Sequence, residues 1–113
     1  MQKLHQKKCE VCRVGMPTLS NTEAAKYLGE LLGWKKVGRS IKKSFAFKNF
    51  KEALVFFNAV AEVAETEGHH PDMSIYKWKY VKLSLTTHAA RGLTPNDFIV
   101  AAKADLIFKT NHS

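Results

Sequence analysis

The segment FKEALVFFNAVAEVAETEGHHPD, residues 50–72, contains the longest amphipathic pattern of the sequence and then stops abruptly. Asn49 followed by Glu52 is typical of a helix start, and Gly68 suits the left-handed conformation that ends many helices. These signals predict a helix over residues 50–66. Its apolar face consists of Phe50, Ala53, Leu54, Phe57, Val60, Ala61 and Ala64.

Three further apolar residues of this helix, Val55, Phe56 and Val63, widen that face beyond what a helix covering one surface requires. Two interpretations stay open. The helix lies deep in the core, or it carries a second apolar surface for self-association.

Upstream of the central helix, capping and turn signals predict a helix and a hairpin. Ser20 and Glu23 form a capping box for a helix that continues through Leu32. The segments 34–37 and 41–47 then have the pattern of two strands joined by a short turn.

Downstream of the central helix, two strands and a last helix are predicted. A short strand at 74–76 precedes a clearly alternating one at 80–86. Thr94 is suited to the N-cap and Pro95 to the first turn of a helix that continues to about residue 108. The order α-β-β-α-β-β-α predicts an α+β fold, with a four-stranded antiparallel sheet and three helices packed on one face.

The length of 113 residues fits a single domain. We expect this domain at residues 19–113, preceded by a flexible N-terminal extension at 1–18. No apolar run approaches the roughly 20 residues that span a bilayer, so we expect no membrane segment. The expected compartment is the cytoplasm, with an organelle or the nucleus as the open alternatives.

The net charge of +8 is spread over short groups of lysines. A solvated basic surface explains such a distribution, and an anionic partner or substrate tail is the alternative. A nucleic-acid binder is not favoured, because the sequence contains no stacking or groove-reading motif.

Two cysteines, Cys9 and Cys12, form the motif CEVC near the N-terminus. A structural zinc site requires four ligands, and only His5 lies nearby to add a third. A redox motif requires a strand–helix context that the following residues do not supply. We therefore expect two reduced thiols and no metal.

Three histidines and two carboxylates occur at the ends of predicted elements. His69 and His70 follow Gly68, and His88 follows the strand at 80–86. Asp97 opens the last helix, and Glu65 lies one turn before His69, where it can orient the imidazole. Groups of this kind in one cleft can perform general acid–base catalysis of an elimination or a hydration. A surface histidine pair and a three-histidine metal site are the alternatives.

The stretches EGHHPDMSIYKW and TTHAARGLTPNDF resemble the pterin-4a-carbinolamine dehydratase family. The resemblance extends over residues 19–108, and Met73 departs from the aromatic residue or leucine of many relatives. The N-terminal C-x-x-C resembles extensions of plant-like and some microbial members. The residues that match the family pattern are Glu65, His69, His70, Pro71, Trp78, His88 and Asp97.

The resemblance implies a lyase that removes water from a 4a-hydroxytetrahydropterin, giving quinonoid dihydropterin, in tetrahydrobiopterin recycling. It implies no cofactor, a small-molecule pterin substrate, the α+β fold described above, and a homodimer or homotetramer.

The resemblance also implies roles for individual residues. His69 and His88 are the expected acid–base pair, and His70 is expected to hold the pterin. Asp97 and Glu65 are expected to orient or charge the imidazoles, and Trp78 to shape the site. The other supporting positions are Pro71 and Asp72.

Two alternative functions remain open. The family also resembles a dimerisation cofactor of homeodomain transcription factors, so the chain can be a protein-binding module with an unused site. An assembly or pterin-related factor in an organelle is the second alternative.

Overall fold

The structure, a computed structural model, describes residues 3–11 and 13–112, with side chains through residue 110. In this part of the chain the element order is α-β-β-α-β-β-α, which confirms the predicted order. Two 3-10 turns, at Leu4–Gln6 and His88–Ala90, accompany the main elements. The main helices and strands are α1 (Asn21–Leu28), β1 (Lys35–Val37), β2 (Ser40–Ala46), α2 (Phe50–Glu67), β3 (Asp72–Tyr76), β4 (Tyr80–Leu85) and α3 (Pro95–His112).

The four strands form one antiparallel sheet in the order β1-β2-β4-β3. Ile41 pairs with Leu85 and Phe45 with Val81, so these buried side chains share one face. Because side chains alternate along a strand, the opposite face carries the polar residues. The helices therefore cover only the apolar face, as the sequence predicts. The residues of the polar face include Lys42, Ser44, Lys82 and Ser84.

The core lies between this face and helices α2 and α3. Phe45 of β2 packs against Phe56 of α2, with ring centroids 4.7 Å apart, and against Phe108 of α3, at 5.2 Å. The buried stripe of α2 differs from the predicted face, because Phe56 is buried and Phe50 and Leu54 are exposed. The buried residues of α2 are Ala53, Phe56, Val60 and Ala64.

Two helix ends differ from the sequence prediction. Helix α1 ends at Leu28 rather than Leu32, because Gly29 follows and glycine disfavours helix continuation. Helix α3 extends to His112, beyond the predicted end near residue 108. No glycine or proline follows Phe108, so the sequence contains no stop signal there.

The N-terminal residues pack against α2 and α3. Leu4 is buried, and the Lys103 ammonium of α3 donates to the His5 carbonyl at 2.9 Å. Glu10 and Asn96 exchange two hydrogen bonds, of 2.9 and 2.8 Å. The domain boundary at residue 18 stays a prediction.

Cys9 is half-buried, and Cys12, the second cysteine of the motif, lies outside the described residues. Among the residues that the structure describes, no group of three or more His, Cys, Asp or Glu side chains is placed to hold a metal. None of the helices in this same part of the chain is long and apolar enough to cross a membrane.

Candidate active site

Four segment ends meet at one end of the sheet. Helix α2 ends there at Glu67, β3 begins at Asp72, β4 ends at Leu85, and α3 begins at Pro95. Because connecting loops are less constrained by packing than regular elements, functional side chains are often found at such ends. The predicted histidines and carboxylates belong to these segments or to the turns beside them. Trp78, the remaining aromatic residue of the predicted site, lies in the β3–β4 hairpin.

Gly68 determines how the two adjacent histidines diverge. It has φ 67° and ψ 27°, the left-handed conformation that the sequence predicts for the end of α2. The amides of Gly68 and His69 both donate to the Ala64 carbonyl, which closes the helix. The chain then turns so that the His69 side chain is buried, with 5% exposed, while His70 points outward.

His69 is bonded to Asp97 in the protein interior. Its Nε2 lies 2.6 Å from the Asp97 Oδ1, and Asp97 is 0% exposed. Because carboxylate oxygens accept, Nε2 is the donor in this bond. Asp97 is the third residue of α3, so its carboxylate also faces the positive end of the helix dipole.

Two threonines hold the second oxygen of Asp97. The Thr94 amide and the Thr87 hydroxyl each donate to Oδ2 at 2.9 Å. The Thr87 hydroxyl has one proton, so the Thr94 hydroxyl, 2.9 Å away, is the donor to the Thr87 oxygen. Asp97 thus has three donors and a fixed orientation. Every buried side-chain nitrogen and oxygen in the described part of the chain has a hydrogen-bond partner.

His70 is bonded to Glu65 at the surface. Its Nε2 contacts the Glu65 Oε2, and both side chains are mostly exposed, at 60% and 77%. The sequence placed Glu65 beside His69. The structure pairs it with His70 instead, because the turn at Gly68 carries His69 to the opposite side.

His88 begins the short 3-10 turn that follows β4, and its side chain is exposed. It directly follows Thr87, which is bonded to Asp97. His88 therefore belongs to the same end of the sheet as the His69–Asp97 pair. Pro71 is buried beside His70, and Asp72 is an exposed first residue of β3.

Trp78 lies elsewhere. It forms the tip of the β3–β4 hairpin with φ 55° and is 64% exposed. Strand β3 runs from Asp72 to Tyr76, a length of about 13 Å at a rise of roughly 3.3 Å per residue, and Trp78 lies beyond its far end. Within one chain the structure does not bring Trp78 to the histidines.

Sequence reasoning missed Thr87 and gave Thr94 only the role of a helix cap. Thr87 is polar and fully buried directly after an alternating strand, where a solvent-exposed loop residue is expected. A buried hydroxyl needs a hydrogen-bond partner, but the sequence does not indicate that the partner is Asp97, ten residues away.

An antiparallel sheet covered on one face by helices, with a buried histidine–aspartate pair at its end, defines a small α+β domain with a histidine-containing site. The chain belongs to the family "Pterin 4 alpha carbinolamine dehydratase", whose sequence model matches residues 17–107. This match confirms the resemblance found in the sequence.

Several known proteins are similar to this chain. A protein of Alkaliphilus metalliredigens named "Putative pterin-4-alpha-carbinolamine dehydratase" is 45% identical over 107 residues, covering 93% of this chain and 96% of its own. A protein of the same name from Nitrosomonas europaea is 43% identical over 109 residues, covering 95% of each chain.

Two solved structures are also similar. A "transcriptional coactivator/pterin dehydratase" from Brucella melitensis has a TM-score of 0.75 and 34% identity, over 80% of this chain and 97% of that one. A pterin dehydratase-like protein described as a RuBisCO assembly factor has a TM-score of 0.57, over 66% of this chain and 88% of that one. Its 24% identity supports the fold alone.

Proposed function

We propose that the protein removes water from 4a-hydroxytetrahydrobiopterin, giving quinonoid dihydropterin, and that it serves in tetrahydrobiopterin recycling. In this elimination the bond between C4a and the hydroxyl oxygen breaks after the oxygen accepts a proton, and N5 loses its proton. The observation that carries the proposal is the buried His69–Asp97 pair, which lies at the same end of the sheet as His70 and His88.

His69 and His88 are the proposed acid–base pair. A positioned imidazole can give a proton to the leaving oxygen while a second takes one from N5. Asp97 holds the His69 ring in one orientation and stabilises positive charge on it. His88 is exposed at the start of its turn, where a bound substrate can contact it.

His70 is proposed to hold the pterin, with Glu65 orienting its ring. Pro71 fixes the direction of the chain after the pair, and Asp72 lies at the edge of the site. Because Trp78 lies at the exposed hairpin tip, we assign it no role in the site of its own chain. The elimination is neither an oxidation nor a reduction, so the balance of the reaction requires no redox cofactor.

The test is the rate at which freshly generated 4a-hydroxytetrahydrobiopterin loses water, followed by ultraviolet absorbance. The wild-type protein is expected to accelerate the loss. His69→Ala and His88→Ala should each reduce the rate by about 10²–10⁴-fold, the usual contribution of a general acid or base. His5→Ala, which removes a histidine from the N-terminal turn, is the matched control. Equal rates in all three variants would contradict the proposed roles.

A second candidate function is a protein-binding module. The observation in its favour is an apolar patch on α2, formed by Phe50, Leu54 and Val55, which are 51%, 39% and 55% exposed. Exposed apolar patches mark sites of association. The first partner we propose for this patch is a second copy of the chain, in a homodimer or homotetramer.

This association is tested by light scattering on Val55→Asp, with Leu32→Asp as the control because Leu32 is 83% exposed outside the patch. We expect an oligomer in the wild type and the control and a folded monomer in Val55→Asp. A monomeric wild type would contradict the proposed homodimer or homotetramer. If this monomeric wild type also lacked dehydration activity, a protein-binding module with a different partner would become the preferred function.

A further inference from the structure

A cavity of 410 Å³ lies against the turn that carries His88. It is open to solvent, and three segments line it: the start of α1, the tight turn between β1 and β2, and the end of the loop before α3. Its lining includes the cations Lys36, Arg39 and Arg91 and the polar side chains of Thr18 and Asn21, and no carboxylate is among the lining residues that the structure describes. The cavity is therefore strongly electropositive.

Among the described residues, none of these three cations is paired with an acidic side chain. Ion pairs in the described part of the chain join other groups, such as Lys43 with Asp105 and Lys103 with Glu67. Lys36 donates to the Gly38 carbonyl at 3.0 Å, which is a neutral acceptor. Like charges that converge without a counter-charge repel one another, and a bound anion removes this repulsion.

The backbone at Arg91 provides an independent observation. Arg91 has φ 60° and ψ 39°, in the left-handed region that favours glycine, at the end of the short helical turn. The next residue, Gly92, is a glycine for a different reason: a Cβ added there would lie 3.0 Å from the Thr18 methyl, which is closer than an ordinary contact. An arginine at a position where glycine is less strained suggests a role for its side chain.

Hydrogen bonds connect the cavity to the histidine site. The Arg91 amide donates to the His88 carbonyl at 3.1 Å, and Thr87 and Gly92 exchange two backbone bonds. The Thr86 hydroxyl donates to the Arg39 carbonyl. One turn, residues 87–92, thus carries the Asp97-bonded threonine and His88 at its start and Arg91 at its end.

We propose that this cavity is a subsite for an anionic group, a phosphate or a carboxylate, at the end of the side chain of a pterin held by the histidines. The proposal rests on the proposed dehydration, and it deepens it by naming the substrate class. Guanidinium groups bind such anions through two parallel hydrogen bonds, so the two arginines are suited to this task.

The first experiment compares two 4a-hydroxytetrahydropterins that differ only in a phosphate at the end of the side chain. We expect the phosphorylated substrate to have a KM about tenfold lower, and each arginine variant, Arg39→Gln and Arg91→Gly, to abolish most of this difference. The variants should retain the kcat for the uncharged substrate. Lys51→Ala removes one exposed charge from α2 and should leave the preference unchanged. Equal KM values for both substrates in an active enzyme would overturn the proposal.

A second measurement separates this proposal from the dehydration itself. Pyrophosphate binding is measured by calorimetry for the wild type, Arg91→Gly and Lys51→Ala. Arg91→Gly relieves the left-handed strain, so its thermal midpoint should not fall while its affinity for pyrophosphate falls about tenfold. Binding lost only in Arg91→Gly supports the anion site even if neither pterin is dehydrated. Equal binding by all three proteins would refute it, whatever the activity.

Discussion

Adjacent residues of one type, His69 and His70, lie in opposite environments. Each is paired with a carboxylate, but the His69–Asp97 pair is 5% and 0% exposed, whereas the His70–Glu65 pair is 60% and 77% exposed. Breaking a buried pair leaves an uncompensated charge away from water, whereas water replaces a lost partner at the surface. The comparison therefore separates what a pair contributes to stability from what it contributes to function.

The largest expected effect comes from removing the buried carboxylate. Asp97→Ala leaves the His69 ring, the Thr94 amide and the Thr87 hydroxyl without their common acceptor. We expect a loss of about 3–5 kcal/mol in the free energy of unfolding, measured by urea denaturation. Asp97→Asn retains one carbonyl oxygen and the side-chain shape, so its loss should be smaller. Equal losses in the two variants would indicate that volume, and not the acceptor, determines the stability.

Removing the imidazole should have the next largest effect. His69→Ala leaves the Asp97 Oδ1 without its donor at 2.6 Å but keeps both threonine bonds. We expect a loss of about 1–3 kcal/mol in the free energy of unfolding. A double-mutant cycle with Asp97→Asn should give a coupling energy of about 0.5–3 kcal/mol. Additive losses would show that the two side chains do not stabilise each other.

The exposed pair should contribute little to stability and more to binding. His70→Ala and Glu65→Gln are each expected to change the free energy of unfolding by less than about 1 kcal/mol. In steady-state kinetics of the dehydration, His70→Ala should raise KM more than it lowers kcat. A kcat loss as large as that of His69→Ala would give His70 a catalytic role instead.

The contrast between the two histidines shows how far sequence reasoning reaches. Gly68 as a helix end, and hence a divergence of the two rings, follow from local backbone preferences. Which ring turns inward depends on tertiary packing of the end of α2 against the start of α3, and a local pattern does not contain that information. For the same reason the sequence indicates that Glu65 can orient an imidazole but not that this imidazole is the one of His70, and it does not indicate the bond between Thr87 and Asp97.

Trp78 is a different kind of case. Its spacing to His88 matched the family pattern, and this spacing suggested a place in the site. The same sequence predicts strands on both sides of it, and a residue between two antiparallel strands lies at the hairpin tip. Secondary structure thus contained the information that Trp78 is distant from the histidines, whereas the motif did not.

Asp105 is more exposed than the buried His69–Asp97 pair and less exposed than the His70–Glu65 pair, and its removal has the smallest predicted effect on stability. Its carboxylate is 25% exposed and accepts from Lys43 at 2.8 Å and from the Trp34 indole. Burial raises the pKa of Asp105 above its ordinary value of 3.8, and the bonds from Lys43 and Trp34 oppose this rise only in part. Between the ordinary and the raised pKa the folded protein binds more protons than the unfolded chain, so its stability falls as the pH rises through that interval.

Urea denaturation of the wild type and Asp105→Asn from roughly pH 3 to pH 6 measures this dependence, since aspartate titrates in that range. The wild type should lose stability relative to Asp105→Asn as the pH rises, by less than about 1 kcal/mol. Glu23→Gln is the control of opposite sign. The bond from the Ser20 amide lowers the pKa of Glu23 from 4.5, so the stability that Glu23 adds is present above 4.5 and is lost as the pH falls through the lowered pKa. If Asp105 instead followed the sign of Glu23, the attraction of Lys43 would outweigh the burial of the carboxylate.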